Sequence, residues 1–327
     1  MNALITGAGG FIGSRLAARL LERGDAVRGL FMHGEDTRGL EEKGLEMVRG
    51  DVTEPSTLEG IERGIDTVFH LAARVADWGP VEAYRDVSVC GTANLLERSA
   101  GKVERFVYMS SIAYFGTTRH CAGFTEDTAP VLTGLPYNDA KIEAEALVRG
   151  YTFGTDTSYT IIRPTNVFGP GSIWVRDIIE AFGRGPLPLC DGGRHSASLV
   201  YVENLVDGIL LAADSPRARD RVYILRDDYR VTWREYLSAL GAMVGKKPGP
   251  SMPTWLLFYL GWLVEAIYAP FYPARPPLTR HAVSIMGHDF DADTTRAREE
   301  LGWSTRIPYD EAMESVARYV RETFGDI

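Results

Sequence analysis

Apolar residues in this chain fall into two alternating patterns: short continuous runs, and longer stretches in which they recur every three or four positions. The first run, Met1 to Thr6, is too short for a helix face and reads as a strand buried on both sides. Ser14 to Arg23 follows with Leu16, Leu20 and Leu21 on one face and Arg15, Arg19, Glu22 and Arg23 mostly on the other, the pattern of an amphipathic helix that Gly24 ends. Further strands are expected at 26–31, 45–48, 66–71, 103–109, 157–162 and 222–225, and further helices at 81–100 and 139–148. This alternation predicts an α/β fold, a Rossmann-type doubly wound parallel sheet that binds ligands at the carboxyl ends of its strands. Beyond about Gly169 the pattern loosens, punctuated by Pro186, Pro188, Pro216, Pro248, Pro250 and Pro253. Residues 1–168 are therefore expected to form the dinucleotide domain, and 169–327 a mixed α/β substrate region, with strands returning to the sheet around 195–226.

One stretch fits neither pattern. Thr254 to Ala269 is apolar all round, with Glu265 its single charged residue. Such a helix is a core helix, covers an apolar ligand or meets a membrane. It is too short to span a bilayer and runs into Pro270 and Pro273. The expectation is a movable wall over an apolar substrate, with Phe258 and Trp262 touching it and contact with a membrane face left open; a plain core helix is the equal alternative.

The junction between the first strand and helix carries Gly7, Gly10 and Gly13 in a GxxGxxG spacing, with Phe11 and Ile12 between them. Missing side chains there let a pyrophosphate approach the main chain and meet the free N–H groups of the helix start. The second strand ends at Phe31-Met32-His33, which supplies neither an acid for a ribose hydroxyl nor an arginine for a 2′-phosphate. Both NAD and NADP are expected to bind, and the missing acid leans the reading toward NADP. His33 and Arg38 are the groups near enough in sequence to attend a phosphate. Asp51, followed by Val52, closes the third strand, and Leu71-Ala72-Ala73 closes the fourth with small residues over which the cofactor passes.

Composition narrows the partners. A net charge of −9 and a pI near 5.3 speak against nucleic acid and anionic surfaces as the main partner. Cys90, Cys121 and Cys190 are odd in number and lack CxxC spacing, which fits a reducing cytoplasm, and the N-terminus has no export-signal pattern. The six histidines show no metal-ligand spacing, so no metal is expected.

Ser111 closes the fifth strand, and Tyr137 and Lys141 stand four apart at the start of the next helix, hence on one face. A neighbouring ammonium is expected to bring a phenol toward the working pH range, so that Tyr137 exchanges a proton with a substrate oxygen held by Ser111.

Together the opening TGAGGFIG, the Ser-Tyr-Lys set and nearly the whole chain resemble the extended short-chain dehydrogenase/reductase superfamily of epimerase/dehydratase type. Arg163 to Gly171, Val200 to Asn204, Asp77-Trp78-Gly79, Pro277 to Arg280 and Leu301-Gly302-Trp303 are similar to its 3β-hydroxysteroid dehydrogenase-like branch. The resemblance implies that Ser111, Tyr137 and Lys141 are catalytic, that Lys141 also binds the nicotinamide ribose, that Asp51 touches adenine, and that Pro164 and Val167 cover the nicotinamide. It further implies a homodimer through the helices at 81–100 and 139–148. Ser88 stands where many members carry an Asn that supports a water chain to the lysine. Trp78, Ile112 and Asn166 join Phe258 and Trp262 as substrate-contact candidates. The expected activity is interconversion of a secondary alcohol and a ketone on an apolar, sterol-like or long-chain substrate. The alternatives are a nucleotide-sugar epimerase or dehydratase, with Arg176, Arg184 or Arg194 on its pyrophosphate, and a redox sensor that only binds the dinucleotide.

Overall fold

The computed structural model describes residues 1–37 and 39–325; Arg38 lies outside the described residues. Seven parallel strands form the central sheet: β1 (Asn2–Thr6), β2 (Ala26–Phe31), β3 (Glu46–Arg49), β4 (Thr67–His70), β5 (Arg105–Met109), β6 (Ser158–Pro164) and β7 (Arg221–Leu225). Their order across the sheet is β3-β2-β1-β4-β5-β6-β7. The order reverses beside β1, between β1 and β4, and there the strand ends open a crevice.

Both faces of the sheet are covered, which is why its strands read as continuous apolar runs. Ala3, Ile5, Val107 and Ile162 point to the layer containing α1 (Gly13–Arg23), where Leu16, Ala17 and Leu20 meet them. Leu4, Val68, Phe106, Tyr108 and Ile161 point to the other layer. That layer is built from α2 (Val81–Ser99) and α3 (Pro136–Thr152), through Leu95, Leu96, Ala144 and Val148. Within α2 the segment Arg85–Cys90 has π-type hydrogen bonding, a widened turn that the apolar spacing does not reveal. α3 begins at Pro136, three residues before the expected start, because a proline at the first helical position lacks only an N–H that would be unpaired anyway.

The second half adds its own core. α4 (Ile173–Arg184), α5 (Val202–Asp214) and α6 (Trp233–Met243) lead to α7 (Thr254–Tyr268), followed by α8 (Arg280–Met286), α9 (Thr295–Leu301) and α10 (Tyr309–Phe324). Val175, Ile179 and Phe182 of α4 pack with Trp233, Tyr236 and Leu237 of α6 and Val316 and Val320 of α10. α5 instead returns to the central sheet, where Leu205, Val206 and Ile209 join the α1 layer. The strand Leu199–Tyr201 pairs with Asn166–Phe168 outside the main sheet, and β7 alone of the later strands extends it.

α7 is the element least like a core helix. Leu257, Gly261 and Glu265 face inward, whereas Trp255, Tyr259, Trp262, Leu263 and Ile267 are exposed. The core-helix alternative is thus excluded.

Candidate active site

A cleft of about 1200 Å³ runs from the glycine turn over the ends of β1, β4, β5 and β6 and out between α4, α7 and α8. Its cofactor end is built by backbone. Gly7 has φ +70°, and a Cβ there would lie 3.0 Å from the Ala72 nitrogen. A Cβ on Gly13 would lie 2.1 Å from the Gly7 carbonyl oxygen, so this turn closes only without side chains. The resulting cradle, with the amino end of α1 behind it, fits a dinucleotide pyrophosphate. Phe11, Ile12, Asp51, Val52, Leu71, Ala72, Ala73, Pro164 and Val167 all line the cleft with Gly7, Gly10 and Gly13.

His33 and Ser88 do not line it. His33 is exposed beyond the end of β2. Ser88 is buried, its hydroxyl accepts from the Arg74 N–H at 3.2 Å, and among the described residues no hydrogen bond joins it to Lys141. Glu35, which the sequence places between His33 and Arg38 as a loop residue of the surface, lines the cleft instead. Its carboxylate accepts from the Met32 N–H at 2.9 Å and folds back so that a Cβ on Gly9 would lie 2.5 Å from it. Arg49 donates to the Met32 and Glu35 carbonyls and holds this turn closed. An acid therefore does stand over the cradle, four residues past the strand end where such a residue is looked for, and the argument from a missing acid toward NADP loses its basis.

At the centre the fold brings Ser111, Tyr137 and Lys141 together. Ser111 follows β5 in extended conformation, its Oγ accepts from the Ala113 N–H at 3.1 Å, and it lines the cleft together with Tyr137. Lys141 Nζ donates to the Met109 carbonyl at 2.7 Å and stands 6.0 Å from the Tyr137 ring centroid. Burial lowers the Lys141 ammonium to about 8, against the opposing influence of Glu145. Glu145 is itself held by Arg163 at 2.8 and 2.7 Å and by the Ser110 hydroxyl at 2.5 Å. Burial raises the Tyr137 phenol, with Ser111 opposing. The direction is opposite to the one expected from the YxxxK spacing, because burial disfavours the phenolate while the Lys141 ammonium bonds the Met109 carbonyl.

The base of the strands is fixed by His70, whose two ring nitrogens bond Thr6 Oγ1 at 2.7 Å and Thr92 Oγ1 at 2.9 Å. Burial, with Lys141 adding to it, drives its pKa down to about 3, so it is a neutral tie between β1, β4 and α2.

Outward from Tyr137 the cleft is lined by Trp78, Ile112, Asn166, Trp174, Ile178, Leu187, Leu257, Leu278, Ile285 and Met286. Phe258 and Trp262 are not among its lining residues: Phe258 packs beside Leu257 and Val283, and Trp262 points to solvent. Helical geometry decides this, since only one side of α7 can meet the cleft, and Leu257 is on it. His281, missed in the sequence, stacks edge-on to Tyr137 with ring centroids 5.6 Å apart. Its Nδ1 and the indole N–H of Trp78 are buried with no hydrogen-bond partner among the described residues, and both residues line the cleft. Burial lowers His281 to about 4, with Asp77 opposing. Three arginines along the cleft are paired with acids: Arg275 with Asp77 and Asp177, Arg176 with Asp177, and Arg184 with Glu180. Arg74 lines the cleft too and, among the described residues, is in no ion pair; it donates to the Tyr272 hydroxyl at 3.2 Å and stands over the Tyr84 ring. Arg194 is exposed and away from the cleft lining.

Elsewhere the fold gathers histidines that are scattered in sequence. The side chains of His120, His195 and Asp289 offer ligand atoms within 4.8 Å of one another, and His195 Nδ1 already bonds the Asp289 carboxylate at 2.9 Å.

Comparison with known proteins agrees with this architecture. The chain is 28% identical to the 2-alkyl-3-oxoalkanoate reductase of Shewanella oneidensis, covering 96% of this chain and 84% of that one. It is 30% identical to the 3 beta-hydroxysteroid dehydrogenase/Delta 5-->4-isomerase of Mycobacterium tuberculosis, over 99% and 91% of the two chains. The solved structure of MoeE5 in complex with UDP-glucose and NAD superposes with a TM-score of 0.74 at 25% identity, over 99% of this chain and 100% of that one. The profile of the NAD dependent epimerase/dehydratase family matches residues 3–225. With the glycine cradle, the seven-stranded parallel sheet and these relatives in agreement, the chain belongs to the NAD-dependent epimerase/dehydratase family of extended short-chain dehydrogenases/reductases, and it is an enzyme of that type.

Proposed function

We propose that the enzyme interconverts a secondary alcohol and a ketone on a long, largely apolar substrate, using Ser111, Tyr137 and Lys141. The observation that carries this reading is the outer cleft: Trp174, Ile178, Leu187, Leu257, Leu278 and Ile285 form its wall, while Arg176, Arg184 and Arg275 are paired with neighbouring carboxylates. At Arg176, Arg184 or Arg275 a sugar nucleotide's pyrophosphate would have to displace Asp77, Asp177 or Glu180. The names of the Shewanella and mycobacterial relatives point to the same class of substrate.

A nicotinamide dinucleotide bound in the cradle supplies or accepts the hydride. Ser111 holds the substrate oxygen, and Tyr137, kept protonated by burial, gives that oxygen its proton in the direction of reduction. Lys141, lowered to about 8, is an ammonium at neutral pH and favours the phenolate that remains. His281 Nδ1 and the Trp78 N–H offer contacts for a second oxygen of the substrate. Glu35 favours NAD by accepting from a ribose hydroxyl and repelling a 2′-phosphate. The enzyme works as a cytoplasmic homodimer through α2 and α3.

The test is a turnover panel with both nicotinamides against 3-oxoalkanoates, sterol ketones and UDP-glucose. NADH-dependent ketone reduction that is lost in Tyr137→Phe is the expected result. The nucleotide-sugar reading has the UDP-glucose complex of MoeE5 in its favour. Epimerisation of UDP-glucose without any ketone reduction would establish it in place of ours.

A further inference from the structure

The outer side of α7 reverses the usual arrangement of a soluble protein's surface. Trp255 is 63% exposed, Tyr259 65%, Trp262 55%, Ile267 56% and, just past the helix, Phe271 67%. No exposed residue between Trp255 and Ala274 carries a formal charge. The single carboxylate of the helix, Glu265, is turned inward, where it accepts from the Arg280 N–H at 2.7 Å and from its guanidinium at 2.6 Å. A contiguous face of this kind marks an interaction site.

We infer that this face of α7, continued through Phe271 and Tyr272, docks the enzyme on a lipid surface with the mouth of its cleft against the membrane. Three observations select lipid as the occupant. The exposed side chains include Trp and Tyr, which combine an apolar body with a polar edge and settle at the level of lipid headgroups. Lys246 and Lys247, both exposed and, among the described residues, in no ion pair, stand in the loop that leads into α7 and complement anionic headgroups. Finally, Leu257 on the inner side of α7 and Tyr272 beyond its end line the cleft, so the apolar face and the cleft opening adjoin.

The helix lies along the surface and does not cross it. With the turn that closes it, Thr254–Phe271 is an 18-residue segment long and apolar enough by length and composition to cross a membrane; packing against the protein keeps it at the surface. Its inner side is occupied: Gly261 lies against the start of α8, where an added Cβ would be 3.2 Å from the Arg280 nitrogen. The Asp191 carboxylate takes the Thr254 hydroxyl at 2.7 Å and fixes the helix start. Docking itself does not depend on the reaction catalysed. That the membrane delivers the substrate rests on the apolar-ketone reading given above.

The full chain is mixed with vesicles of phosphatidylcholine, alone or with one-third phosphatidylglycerol, and sedimented. Binding is expected to both, stronger to the anionic vesicles. The combined variant Trp255→Ser, Trp262→Ser, Ile267→Ser should lower the partition coefficient at least about tenfold while its melting temperature stays within about 2 °C of wild type, since these side chains are exposed. Lys246→Gln with Lys247→Gln should weaken binding to the anionic vesicles by several-fold and leave neutral ones unaffected. Absence of sedimentation with either lipid, or equal sedimentation of the triple variant, overturns the proposal. So does light scattering that shows self-association of the wild type, abolished in the triple variant, without vesicle binding; the face would then belong to a second copy. Vesicle binding with no ketone turnover removes the substrate reading and leaves docking in place.

Discussion

α1 and α7 are helices of opposite construction at the two ends of one cleft. α1 buries Leu16, Ala17 and Leu20 against the sheet and turns its arginines outward, Arg15 and Arg19 half-buried against Glu203 and Asp207 of α5 and Arg23 exposed. α7 buries Glu265 and shows tryptophans. Hydrophobic burial drives the whole apolar face of α1 into place, whereas α7 packs only a narrow strip at Leu257 and Phe258 and is otherwise held by the Asp191–Thr254 bond, an ion pair and a glycine contact, so its outer apolar side remains available. The cofactor wall is thus a rigid product of core packing, and the outer wall is a surface shaped for something outside the chain.

The largest effect should come where the walls meet. Tyr137→Phe is expected to lower kcat by about two to four orders of magnitude with cofactor affinity nearly unchanged, read by steady-state turnover and nicotinamide titration. Wild-type turnover in that variant would detach the chemistry from this tyrosine.

On the cofactor wall, Gly13→Ala forces a Cβ toward the Gly7 carbonyl, 2.1 Å away. Loss of detectable NAD binding is expected, with destabilisation of about 1–3 kcal/mol by denaturant melt. On the outer wall, Trp255→Ser should change stability by no more than about 0.5 kcal/mol. Equal destabilisation by the two substitutions would erase the contrast between the helices.

Glu35→Ser should weaken NAD by about tenfold and raise the relative affinity for NADP, followed by fluorescence titration of each. An unchanged ratio would return the cofactor preference to the mild one expected from the strand end alone.

A smaller effect belongs to His70. Its folded pKa of about 3 lies below the ordinary 6.5, so the folded state binds fewer protons than the unfolded chain. Its contribution to stability is complete above about pH 6.5 and is lost as the pH falls toward 3. Denaturation midpoints from pH 7 to 4 should decline less steeply in His70→Gln than in wild type.

The sequence by itself determined the sheet, the cradle and the central set. Strands buried on both faces must be continuously apolar, a pyrophosphate turn must lack side chains, and a Tyr and Lys four apart on a helix must share a face; each is a local rule written in adjacent residues. What only the tertiary structure decided depends on contacts between distant segments. The return of Glu35 over Gly9 rests on Arg49 holding the turn, and no spacing rule encodes that. The rise of the Tyr137 phenol follows from burial, and the Lys141 ammonium turns to the Met109 carbonyl from a neighbouring strand. His281 joins Tyr137 across 144 positions of chain, and His120, His195 and Asp289 converge from three separate segments. For α7 the composition leaves three environments open. Only its packing shows which side is covered, because an apolar stretch without periodicity gives no direction in which to turn.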